Sequence, residues 1–79
     1  MVSEARRIAI RRQYRILRET VGKTQLEIEA LARLYKGRYW KIENGFEFPT
    51  DEERKRLARA LKVSETAIPT QQAPEAKAS

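Results

Sequence analysis

The sequence lacks cysteine and histidine altogether. Without cysteine it has no disulfide, no thiol nucleophile and no thiolate zinc site, and without histidine it lacks the commonest general base and transition-metal ligand. It has no glycine-rich phosphate loop either, and its neighbouring acids at positions 51–53 occupy a predicted helix start, where acids stabilise the helix. We therefore expect a protein that is not an enzyme and that holds no metal and no cofactor.

Long apolar segments are missing as well. No run approaches the roughly 20 residues that span a bilayer, and the first residues do not form the hydrophobic core of a signal peptide. The 79 residues, 41% hydrophobic and 35% charged, have the composition of one small soluble domain. We expect a cytoplasmic protein with no membrane partner.

Basic residues outnumber acidic ones, with 17 Lys and Arg against 11 Asp and Glu and a net charge of +6. The excess lies in two segments, an arginine-rich one before Glu19 and a second one between positions 33 and 41. This uneven positive charge indicates a polyanionic partner. For the arginine-rich segment two interpretations remain open: a solvated face that keeps the protein soluble, or additional contacts to phosphates.

The periodicity of apolar residues predicts helices throughout. The first helix should cover residues 4–21, with Ser3 as its N-cap and Gly22 just after its end. Its inward stripe consists of Ile10, Tyr14, Leu17 and Val21. Ile8 and Ile16 fall outside this stripe, so they either widen it or contact a partner.

Two capping boxes mark later helix starts. The first, at Thr24, begins a helix over residues 25–32, and the second, at Thr50, begins a helix that runs to about residue 62. The predicted inward residues of these two helices are Ile28, Leu31, Ala32, Leu57, Ala58 and Leu61.

Between these helices, after a tight turn at residues 33–35, a short helix is predicted over residues 36–43. Tyr39 and Ile42 form its buried pair. Asn and Gly at positions 44–45 end it, because both tolerate the left-handed conformation that helix C-termini commonly need.

A last helical turn, over residues 65–68 and capped by Ser64, completes five helices with no strand pattern. The fold class is therefore predicted to be all-α. From Pro69 onward the sequence PTQQAPEAKAS has no large apolar residue to bury. We expect a domain over residues 1–68 and a disordered C-terminal tail over residues 69–79.

Two short helices joined by a tight turn form a helix-turn-helix unit. Residues 22–68 resemble the lambda-repressor-like (Cro/repressor-type, XRE) DNA-binding family. The resemblance rests on three motifs at compatible spacing: Thr24-Gln25, Ile42-Glu43-Asn44-Gly45 and Leu57-Ala58-Arg59-Ala60-Leu61. It implies a compact five-helix lambda-repressor-like domain, here with an extended first helix, whose second short helix enters the major groove of DNA. The family usually has glycine where Arg33 stands, so Arg33 must adopt a positive φ or the turn must differ.

The predicted recognition helix, residues 36–43, carries the candidate base contacts. They are Lys36, Gly37, Arg38, Trp40 and Lys41. Lys and Arg side chains can donate to guanine N7 and O6, whereas a glycine permits a close approach of the backbone. A single Trp in a small helical protein is usually a core residue, but the resemblance places Trp40 at an outward position, for a DNA contact or a dimer contact.

Six further residues are candidates for contacts to the DNA backbone: Thr24, Gln25, Tyr35, Asn44, Arg11 and Arg15. For Gln25 and Asn44 this role is implied by the resemblance. Tyr35 either caps the recognition helix by packing or donates a hydrogen bond to a phosphate, and these two alternatives stay open.

The resemblance implies a sequence-specific DNA-binding transcriptional regulator, here taken to be a repressor, from a bacterium, phage or plasmid. Members of the family generally bind double-stranded DNA as two-fold dimers on palindromic operators. We therefore expect a homodimer at least on DNA, with Ile8, Ile16 and Leu26 as candidate contacts between the copies.

An alternative is an antitoxin-like protein-interaction module that also binds its own promoter. Its protein partner would bind the first helix or the C-terminal tail. Attachment of the first helix to a membrane surface is disfavoured, because its apolar stripe is short and lacks Trp and Phe.

Overall fold

The computed structural model describes residues 2–70, which fold into four α-helices and one 3-10 turn and contain no strand. The helices are α1 Glu4–Thr20, α2 Gln25–Leu31, α3 Arg38–Glu43 and α4 Asp51–Leu61. The all-α prediction is confirmed. The predicted fifth helix is the three-residue 3-10 turn Glu65–Ala67, capped by Ser64. Positions 71–79 of the predicted tail lie outside the described residues, so the domain boundary stays a prediction.

The long first helix is built as its sequence pattern predicts. The Ser3 hydroxyl accepts a hydrogen bond from the Arg6 backbone N–H at 3.1 Å, and Gly22 follows the helix with a φ of 69°. Ile10 and Tyr14 are buried. Seventeen residues long, α1 lies along the core and leaves its opposite face to solvent. Within residues 2–70 no helix combines the length and hydropathy of a membrane-spanning segment.

Both predicted capping boxes are present. Thr24 accepts from the Glu27 backbone N–H at 3.1 Å, and Glu27 accepts from the Thr24 backbone N–H at 2.8 Å. Thr50 and Glu53 make the same reciprocal pair at 3.1 and 2.9 Å. Each box satisfies backbone donors that have no partner within the helix, and so fixes where α2 and α4 begin.

The core joins all four helices and holds α3 against α1. Its buried apolar residues are Ile10, Tyr14, Ile28, Ala32, Tyr39, Ile42, Leu57, Ala58, Leu61 and Ile68. The Tyr14 and Tyr39 rings pack edge to face with their centroids 6.0 Å apart. Burial, with the carboxylate of Glu43 as a further cause, raises the pKa of both phenols above its ordinary value. Both tyrosines are therefore neutral core residues.

The predicted inward face of α2 is wrong at one position. Leu31 is 56% exposed, whereas Glu29 is buried. The inward stripe follows Ile28 and Ala32, which are four residues apart, and Leu31 lies to one side of it. Glu29 lies to the other side, where α3 begins, and there its carboxylate has a partner.

Candidate nucleic-acid interface

The connection between α2 and α3 is longer than the predicted three-residue turn. It covers residues 32–37, and its backbone is left-handed at Arg33 and Gly37, whose φ angles are 55° and 86°. Arg33 therefore adopts the positive φ that was one of its two expected solutions. Because α3 begins at Arg38, Lys36 and Gly37 precede the helix instead of forming its first turn.

A carboxylate from α2 caps the start of α3. Gly37 is the N-cap residue and has no side chain to accept a hydrogen bond. Glu29 replaces it: its Oε2 accepts from the Tyr39 backbone N–H at 3.2 Å. The sequence alone does not predict this role of Glu29, and its only signal is a helix start without a capping side chain. The cost of a glycine inside a helix does not arise here, because Gly37 serves the left-handed turn that precedes α3.

The outward orientation predicted for Arg38 is wrong. Its side chain is buried, and it donates to both carboxylate oxygens of Glu53 at 3.1 and 2.8 Å and to the Phe48 carbonyl at 3.1 Å. It also pairs with Glu47. Arg38 is four residues before Ile42, so both lie on the inward face of α3. While these bonds hold, the guanidinium is not free to contact a base.

A second ion pair fixes the other end of α3. The Arg18 guanidinium pairs with Glu43 through N···O distances of 3.0 and 3.3 Å. Glu43 is only 2% exposed and also accepts from the Gln25 side-chain amide at 2.7 Å. The hydrogen bond with Glu43 raises the pKa of Arg18 above its ordinary value, so the guanidinium stays charged. These bonds join α3 to α1 and to the start of α2.

The remaining candidates lie on the solvent face of α3 and in the turn just before it. Lys36, Gly37 and Lys41 are exposed, and Trp40 is 51% exposed, which excludes the core alternative for its indole. The Asn44 side-chain amide donates to the Trp40 carbonyl at 2.9 Å at the end of the helix. A cationic, partly aromatic surface thus projects from the short helix, and its buried side holds it in place.

A family model described as a helix-turn-helix domain matches residues 9–70, which include α2, the turn and α3. The chain belongs to the helix-turn-helix domain family. This agrees with the resemblance to lambda-repressor-like proteins. No curated protein and no solved structure has a significant match to the chain. Helix-turn-helix domains place their second helix in the DNA major groove, so membership suggests a DNA-binding regulator.

Other candidates of this helix-turn-helix domain lie near α3. The Thr24 hydroxyl serves the α2 cap, and the Gln25 amide nitrogen has one hydrogen left beyond its bond to Glu43. Tyr35 is 60% exposed, with the Arg38 guanidinium 5.8 Å from its ring centre.

Arg11 and Arg15 are exposed side chains of α1. With their neighbours they border a shallow open groove lined by Ile8, Arg11, Arg12, Arg15, Ile16 and Glu19. Among residues 2–70 no group of three or more acidic side chains is placed to hold a metal ion. The interface candidates of this helix-turn-helix domain are therefore cationic, aromatic and amide groups, which suit a polyanion.

Proposed function

We propose that this helix-turn-helix domain is a sequence-specific DNA-binding transcriptional regulator, a repressor that occupies its operator. The solvent face of α3 enters the major groove. One observation carries the proposal: the inward side of α3 is fixed by core packing and ion pairs, while Trp40 and Lys41 project from its outward side and Lys36 is exposed just before it. The net charge of +6 attracts the domain to DNA.

Base contacts are assigned to the outward residues of the recognition segment. Lys36 and Lys41 donate to guanine, Gly37 allows close approach, and Trp40 supplies an apolar surface. Arg38 was a candidate for the same role, but its bonds to Glu53 support a different one. It positions α3 from within the domain.

Contacts to the DNA backbone are assigned to the remaining candidates: Thr24, Gln25, Tyr35, Asn44, Arg11 and Arg15. Such contacts fix the register of a protein on the duplex and carry no sequence information. Exposure of Tyr35, Arg11 and Arg15 supports their part of this assignment. The target is a palindromic operator, which a homodimer binds in the cytoplasm. The protein itself is encoded by a bacterium, a phage or a plasmid.

An antitoxin-like protein-interaction module is the second candidate. It is favoured by one observation: Ile8 and Ile16 on the outer face of α1 are 41% and 57% exposed. A DNA contact through α3 leaves these side chains unused. The two candidates differ in what α1 binds: the DNA backbone and a second copy of the chain in the first, a different protein in the second.

The test is a selection of bound duplexes from a random pool. We expect an enriched motif with two-fold symmetry. Lys36→Ala should relax the preference at one position, whereas Arg11→Ala should weaken binding to selected and random duplexes alike and lower the salt slope by about one unit. Lys55→Ala, which removes an exposed charge on α4, is the matched control. Equal losses on both kinds of duplex for all variants would contradict base recognition.

A further inference from the structure

Three side chains from three separate segments form a column beside the recognition helix. The Trp40 and Phe46 rings stack with their centroids 5.6 Å apart and an interplanar angle of 19°. On Phe46 lies the guanidinium of Arg7, 4.9 Å from the ring centre. The column runs from α1 through the loop after α3 to the outward face of α3. It ends on the exposed indole.

The backbone beneath the column is held closely. A Cβ atom at Gly45 would lie 3.0 Å from the Arg7 Cα, so another residue here would push α1 and this turn apart by a few tenths of an ångström, and the φ of 77° would be strained as well. The Phe46 backbone N–H donates to the Lys41 carbonyl at 3.0 Å. Stacking and cation–π contact add to this support. The orientation of the Trp40 indole is thus fixed, although about half of the surface of this residue is exposed to solvent.

An indole fixed at this place offers the groove an apolar surface. Trp40 lies on the outward face of α3, between the exposed N-cap Gly37 and the C-cap Asn44, whose side-chain amide donates to the Trp40 carbonyl. Lys36 and Lys41 flank it with positive charge. In the major groove, the apolar group on the base edges is the C5-methyl of thymine. The stack therefore fits a thymine between anionic phosphates.

We propose that Trp40 determines specificity by packing its indole against a thymine methyl group, and that Phe46 and Arg7 are positioning residues for the indole. This inference rests on the proposed function, since it needs α3 to lie in the major groove. It goes further by naming the base that Trp40 recognises and the part of that base it contacts.

Replacing thymine by uracil tests the inference, because it removes only the methyl group. Each thymine of the selected duplex is replaced singly, and affinity is measured by anisotropy of a labelled duplex at fixed salt. We expect one position per half-site at which uracil lowers the affinity about fourfold, because that factor corresponds to the burial of one methyl group. In Trp40→Ala the same replacement should have no effect, and in Trp40→Phe part of the effect should remain.

The positioning role has its own measurement. Phe46→Leu keeps an apolar side chain but removes the stack on the indole. We expect it to reduce the ratio of the affinities for the thymine and uracil duplexes without abolishing binding. Leu31→Ala, another exposed apolar residue, is the matched control and should leave the ratio unchanged. Trp40 is the only tryptophan, so its fluorescence should differ between the thymine and uracil complexes.

The outcomes separate this inference from the proposed function. If the wild type selects a motif but tolerates uracil at every position, the methyl contact is overturned and the regulator remains. If Trp40→Ala lowers the affinity for the thymine duplex and for the uracil duplex by the same factor, the indole contacts sugar or phosphate and the inference is again overturned. If no motif is selected from the pool, the proposed function fails and the inference with it.

Discussion

The guanidinium of Arg38 connects α3, the following loop and α4 through a single side chain. Its partners Glu53 and Phe48 lie 15 and 10 residues further along the chain. An arginine suits this place because its planar group can donate to both oxygens of one carboxylate, which a lysine ammonium cannot do. Removing one member of such a pair leaves the other without its hydrogen-bonding partner, at a cost of about 1–3 kcal/mol.

The same pair makes stability depend on pH. The hydrogen bonds from Arg38, followed by that from the Thr50 backbone, hold the pKa of Glu53 below its ordinary value. A lowered folded-state pKa stabilises the protein above the unfolded-state value of about 4.3, and this contribution is lost as the pH falls through the folded-state pKa. We expect Glu53→Gln to lower the free energy of unfolding at pH 7 by about 1–3 kcal/mol. On acidification, the free energy of unfolding of Glu53→Gln should fall less than that of the wild type, because the variant has no carboxylate at this position to protonate.

Thermal melts at several pH values between 7 and about 3 measure this difference. Glu52→Gln is the matched control, because its side chain is 74% exposed and its pair with Arg56 spans 3.9 Å. It should differ from wild type by no more than about 0.5 kcal/mol at any pH. Parallel curves for wild type and Glu53→Gln would show that the pair does not contribute to acid stability.

At the scale of elements, α3 owes its existence to its neighbours. Six residues are far too few for a stable isolated helix. Its buried pair, Tyr39 and Ile42, follows from spacing, so the sequence predicts that part of its environment. Glu29 and Glu43 do not follow in this way, because a charged residue is assumed to be exposed until a partner is known. The partner of Glu43 is Arg18, 25 residues earlier in the chain, and no local pattern indicates that contact.

Local signals that depend on neighbouring residues are the ones that predict structure well. The Thr24 and Thr50 capping boxes need only a side chain and a backbone N–H three residues apart, and both are confirmed. The start of α3 is predicted two residues too early, because Gly37 gives no capping signal and its true cap comes from α2. The candidate base contacts are assigned from position along the predicted helix, and for Arg38 that argument misses the buried orientation set by Glu53 of α4.

The turn before α3 contains a residue in an unfavourable conformation, which leads to a prediction about stability. Arg33 has a φ of 55°, and a left-handed backbone costs a non-glycine residue about 1–2 kcal/mol. Glycine removes that cost but adds about 0.5–1 kcal/mol of unfolded-state entropy. We expect Arg33→Gly to raise the free energy of unfolding by up to about 1 kcal/mol, visible as a rise of several degrees in the melting temperature.

A matched substitution separates the turn from a general effect of glycine. Arg12→Gly also replaces an exposed arginine, but within α1, where the backbone is helical. It should lower the free energy of unfolding by about 1 kcal/mol. If Arg33→Gly destabilises the protein as much as Arg12→Gly does, the positive φ at Arg33 is not strained.

At the scale of the whole molecule, size limits what one copy can recognise. The principal extents are 36 × 23 × 22 Å, and α3 has six residues. One such helix contacts only a few base pairs, and each good contact discriminates by about 1–3 kcal/mol. Two half-sites recognised together multiply that discrimination. A two-fold arrangement therefore suits a protein of this size better than a single copy does.

The dimensions of one copy lead us to predict the spacing between half-sites. Successive major-groove sites on one face of the duplex are about 34 Å apart. Two copies with their 23 Å dimension along the DNA fit at this distance without overlap. We expect two copies to bind the selected operator cooperatively when the half-site centres are one helical turn apart. Inserting five base pairs places the second half-site on the opposite face and should abolish cooperativity, and a duplex with one half-site is the control. Sedimentation gives the number of copies bound, and titration curves give the affinity per half-site on each of the three duplexes. The same affinity per half-site on all three would show that the copies bind independently and would contradict cooperativity.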